Sequence, residues 1–156
     1  MELKELIPAF AAKLGIKGLA VKDGSSSLEI DGITMEIVET MDGKNLVVSA
    51  IIGQPPLEKT EAFLELMLEA NVESLGMQGM AFGRFHETGE LVLQWRLLTQ
   101  DLELDSFCTD LEAFVNKVEQ WRQMTEDFGS AAEEAVVKEE DDQSIVNLPY
   151  SGFISV

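Results

Sequence analysis

The side chains that could do chemistry are few, and their spacing favours none. His86 is the only histidine, in the polar stretch His86-Glu87-Thr88-Gly89-Glu90. A metal there would need ligands that the neighbouring residues do not supply. Cys108 is the only cysteine and flanks an apolar stripe, where a free thiol packs as a small hydrophobe rather than reacting. Gly76-Met77-Gln78-Gly79 lacks the Gly-Lys-Ser/Thr of a phosphate loop. Carboxylate pairs such as Glu36 with Glu39 abound. With 29 acidic residues such pairs arise by chance, and they read as solvated faces. Nothing selects a pair for glycosidase-type catalysis. The expectation is no catalytic residue, no cofactor and no metal. Met67, Met77 and Met80 serve either as core filling or as an adaptable binding surface.

The charge balance narrows the partners. Eleven Lys and Arg against 29 Asp and Glu leave a net charge of -18. Nucleic acid and anionic membranes repel such a chain, so neither is expected as a partner. The charge favours solubility, which matters where apolar surface is exposed. A single cysteine excludes an internal disulfide and suits a reducing compartment. Met1-Glu2-Leu3-Lys4-Glu5 lacks the basic start and apolar run of a signal peptide. The apolar run at 46–52 is too short to span a bilayer. A cytoplasmic protein is expected.

The elements come next. Leu3, Leu6, Ile7, Phe10, Ala11 and Leu14 recur at helical spacing. Pro8 belongs near the start of that helix, which is expected to begin near Lys4 and to end at Gly15. Leu19-Ala20-Val21 reads as a short strand. Alternating residues around Asp31-Gly32 read as a hairpin, and Asp42-Gly43 turns the chain into a third strand at 46–52. That strand is apolar on both faces and should be central. Residues 79–98 form a second hairpin, with Leu91, Leu93, Trp95 and Leu97 on one face. An apolar sheet face of this kind needs helices laid over it.

Residues 60–70 supply one. On a helical wheel of about 100° per residue, only Glu61, Glu65 and Glu69 form a polar sector. The remaining arc is too wide for one sheet to cover. At roughly 1.5–3 kcal/mol per large side chain, the surplus can drive association. A homodimer through Phe63, Leu64, Met67 and Leu68 is therefore expected. A last helix starts at Leu104-Asp105, with Phe107, Leu111, Phe114, Val118 and Trp121 in one stripe. Residues 1–128 thus read as one domain. Residues 129–143 are small and acidic and read as a mobile arm. Residues 144–156 form an apolar tip expected to dock in a groove.

Several segments resemble one family. They are Phe10-Ala11-Ala12-Lys13-Leu14-Gly15-Ile16, Leu28-Glu29-Ile30-Asp31-Gly32, Leu66-Met67-Leu68-Glu69-Ala70-Asn71, Leu91-Val92-Leu93-Gln94-Trp95-Arg96-Leu97, Leu111-Glu112-Ala113-Phe114-Val115 and Glu119-Gln120-Trp121. Their order and acidity resemble the small chaperones of bacterial type III secretion, the Tir chaperone (CesT) class. The resemblance implies an α+β fold: an α/β sandwich of about three helices on a mostly antiparallel, twisted sheet, in the order α-β-β-β-α-β-β-α, dimeric and without enzymatic activity. It implies a secreted effector as partner, bound through its non-globular N-terminal segment. By position it assigns effector contacts to Leu3, Ile7, Leu19, Val21, Leu28 and Ile30, each of which could equally be core. The alternative is an acidic inhibitor that neutralises a basic toxin or enzyme.

Overall fold

The computed structural model describes residues 1–74 and 79–138. The first helix, α1, spans Leu3–Leu14. Glu2 and Glu5 cap its start reciprocally, each side chain taking the other's backbone N–H. Gly15 ends it in the left-handed conformation, φ 68°. Pro8 sits in the second turn, further in than expected. Lys4, whose carbonyl loses its donor there, is exposed together with Pro8, so water can take the hydrogen bond.

Three strands follow: β1 (Ser25–Ile30), β2 (Ile33–Glu39) and β3 (Asn45–Gly53). After a helical turn at Leu57–Lys59 come α2 (Thr60–Ser74), β4 (Met80–Arg84), β5 (Leu91–Leu98) and α3 (Leu104–Lys138). The sheet is antiparallel throughout, in the order β1-β2-β3-β5-β4. The doubly apolar β3 lies at its centre, as expected. Asp31 and Gly32 both take positive φ, 51° and 76°, which is the two-residue turn that the right-handed strand twist favours. Leu19-Ala20-Val21 forms no strand. Only Lys22 pairs locally with Ser25, through two backbone bonds of 2.8 and 2.9 Å. Asp23 and Gly24, both at positive φ, turn the chain there too tightly for a longer ladder.

The helices share one face of the sheet and one core. Trp95 of β5 stacks on Phe107 and Phe114 of α3, with ring centroids 6.0 and 6.1 Å apart. Phe10 of α1 meets Phe107 edge-on at 5.5 Å. Phe63 of α2 meets Trp121 and Phe128 of α3 at 5.8 and 5.3 Å. An ion pair between Lys13 and Asp105 ties the end of α1 to the start of α3. Midway along α3, the Arg122 guanidinium donates to the Ile51 carbonyl at 2.8 and 3.2 Å, beside the bulge that ends β3.

Both later helices outrun their expected ends. α2 continues from residue 70 to Ser74. α3 passes Phe128 and reaches Lys138. Residues 130–138 are rich in Ala and Glu, and extending an existing helix avoids the cost of nucleating a new one. Residues 139–156, with the apolar tip at 144–156, lie outside the described residues, as does Met77.

Candidate functional site

Antiparallel pairing decides which backbone groups face outward. Ile30 and Ile33 flank the two-residue turn and exchange hydrogen bonds with each other, and so, at every second position, do Leu28 with Met35 and Ser26 with Ile37. Ser27 and Glu29 then point their N–H and C=O groups away from β2, toward the open edge of the sheet. Ser25 has the same orientation and uses it to pair with Lys22. The opposite edge, β4, differs. There the Asn71 side chain of α2 takes up both backbone groups of Phe82.

The side of the sheet away from the helices is mixed in polarity. Glu29, Thr34, Glu36 and Gln94 are exposed there. Among them lie Val38, Ile51 and Leu98, which are 38%, 40% and 52% exposed. A cavity of about 470 Å³ opens on this face, lined by Thr34, Glu36, Ser49, Ile51, Val92 and Arg122, with Phe85 beside them. Val92 alternates away from the core together with Gln94, yet it is buried.

The residues singled out in sequence divide by depth. Leu3, Ile7 and Leu28 are buried in the subunit core. Leu19, Val21 and Ile30 are half-buried and pack against it. Of the residues expected at a dimer contact, Phe63 and Met67 are buried within this one copy, because Trp121, Phe128 and the β4 side of the core enclose them. Leu64 is half-buried, and Leu68 is 67% exposed. Val72, one turn further and 76% exposed, was missed because the helix was expected to end before it. The signal available was the Leu68/Val72 spacing of one turn.

The reactive groups are scattered. His86 is exposed and Cys108 half-buried. Among the described residues no group of three or more His, Cys, Asp or Glu could hold a metal. Met80 and Met67 are core residues. The shifted carboxyls belong to surface contacts. Asp42 is held below the usual carboxylate range by the Thr40 hydroxyl and the Lys44 N–H, and Asp105 by the hydrogen bond and charge of Lys13. No helix among the described residues is long and apolar enough to cross a membrane.

Among the described residues, three α-helices on one face of a five-stranded antiparallel sheet form the α+β fold of the small secretion chaperones. The chain belongs to the Tir chaperone protein (CesT) family, whose model matches residues 5–122. No curated protein sequence matches it. A chain of the HopA1-SchA chaperone–effector complex is similar in fold, with a TM-score of 0.67 at 16% identity, over 77% of this chain and 92% of that one. A chain of the ExsC-ExsE complex also gives 0.67, at 20% identity, over 80% and 97%. The Yersinia pestis type III secretion chaperone SycH, solved with a fragment of YscM2, gives 0.64 at 18% identity, over 76% and 98%.

Proposed function

We propose that this protein is a type III secretion chaperone that binds the non-globular N-terminal segment of an effector, in extended form, and keeps it soluble and competent for export. Membership of the chaperone family carries this reading, and the free β1 edge supplies the physical means. An extended segment can add a sixth strand by pairing with Ser27 and Glu29, gaining affinity from main-chain bonds that any sequence can make. Leu19, Val21 and Ile30, half-buried around that strand, are the apolar contacts that remain available. The buried Leu3, Ile7 and Leu28 support them from beneath. No catalytic step, cofactor or metal is part of this role.

The protein is proposed to act as a homodimer through the exposed stripe of α2, with Leu68 and Val72 at its centre and Leu64 at its margin. Placing one proline tests the binding mode. Ser27→Pro removes an outward N–H and leaves the ladder to β2 intact. It should abolish capture of the effector segment while thermal stability changes little. Equal capture by the variant would overturn strand addition. Binding instead to a folded basic partner, with steep salt dependence, would favour an inhibitor.

A further inference from the structure

We propose that residues 144–156 of this chain cover the open face of its own sheet, seated over the cavity between Ile51, Phe85, Val92 and Arg122. The docking stands independently of the proposed chaperone role.

On this face Ile51 and Phe85, 40% and 42% exposed, line a cavity of about 470 Å³, while Val38 and Leu98 lie toward the other end of the strands. Residues 144–156 include Ile145, Val146, Leu148, Tyr150, Phe153, Ile154 and Val156, and not one charged residue, in a chain of net charge -18. That composition fits a face where Glu29 and Glu36 lie among the apolar groups. The acidic surface of a second copy fits it poorly. The family model ends at residue 122, before these residues.

The path is long enough. Arg122 lines the cavity and is fixed to Ile51 and Gly32, so α3 passes the mouth of the cavity at a known point. From there to Lys138 the helix travels about 24 Å. The eighteen residues beyond it reach at most about 59 Å when extended. Returning along the helix leaves about 35 Å, more than the roughly 27 Å that the eight residues of β5 occupy.

Disulfide trapping on the full chain, with no effector present, tests this. In a Cys108→Ser background, Thr34→Cys and Tyr150→Cys should join within one chain at least tenfold faster than Glu112→Cys and Tyr150→Cys, whose partner site is on the exposed side of α3. A rate equal to the control, or a bond only between two copies, would overturn the proposal. Methyl NMR gives a second reading that needs no cysteine. Ending the chain at residue 143 should shift the Ile51 and Val92 methyls and leave those of Ile37 and Val48, on the core side, in place. Unmoved Ile51 and Val92 methyls would overturn it as well.

Discussion

Asn71 engages Phe82 with both ends of its amide: Oδ1 accepts from the Phe82 N–H at 2.6 Å, and Nδ2 donates to the Phe82 carbonyl at 3.1 Å. One side chain thus occupies the place of a sixth strand at the β4 edge. An unpaired edge invites association with other chains, and this contact closes it at Phe82. Among the described residues the β1 edge has no such cover at Ser27 and Glu29. The asymmetry directs strand addition to one side of the sheet. Asn71→Ala should cost about 1–3 kcal/mol in urea denaturation, the penalty for part-buried groups left unpaired. It should also raise concentration-dependent association through β4. An unchanged midpoint would show that water replaces the amide without loss.

The two sides of α2 should respond oppositely to substitution. Phe63→Ala removes a ring packed against Trp121 and Phe128 and should destabilise the fold by about 3–5 kcal/mol. Leu68→Asp with Val72→Asp changes exposed positions and should alter subunit stability by only about 0.5 kcal/mol each. Light scattering should nevertheless show the double variant as single copies where the native chain is paired. A paired double variant would place the dimer contact elsewhere.

Gly32 offers a test of the backbone alone. Its φ is 76°, and a Cβ there would meet no atom within 4 Å. Gly32→Ala should therefore cost about 1–2 kcal/mol purely from the left-handed conformation. Thermal denaturation would read this as a lowered midpoint with an unchanged fold.

Acid should weaken the join between α1 and α3. The Asp105 carboxyl titrates below the usual carboxylate range because Lys13 hydrogen-bonds it and is positively charged. A lowered folded-state pKa stabilises the protein above the unfolded value, and that contribution is lost as pH falls through the folded one. NMR titration should find Asp105 depressed in the native chain and back at its ordinary value in Lys13→Met. An Asp105 titration indifferent to Lys13 would contradict the ion pair. Both groups are exposed, so the effect on overall stability is small.

Much of the fold was legible because local rules and tertiary packing agree. The Asp31-Gly32 turn, the central β3 and the α3 stripe all follow from spacing and turn chemistry. What escaped was long-range. The wheel of α2 counted Phe63 and Met67 as surplus apolar surface, because nothing in their neighbourhood reveals that Trp121 and Phe128 cover Phe63. Asn71 read as part of a connection, and an asparagine that closes a strand edge eleven residues away has no local signature. Leu19-Ala20-Val21 has strand composition, but it finds no partner strand. The candidate contacts suffered in the same way. Periodicity marks a residue as apolar, and only the packing tells buried Leu28 from half-buried Ile30.

The central claim is that an extended foreign segment pairs with β1. Amide hydrogen exchange on the full chain, alone and with the effector that co-purifies from its native host, reads this residue by residue. The account predicts that the Ser27 and Glu29 amides become at least a hundredfold slower to exchange in the complex, while the Phe82 amide, already held by Asn71, does not change. A tightly bound partner that leaves Ser27 and Glu29 exchanging as in the free protein would contradict it.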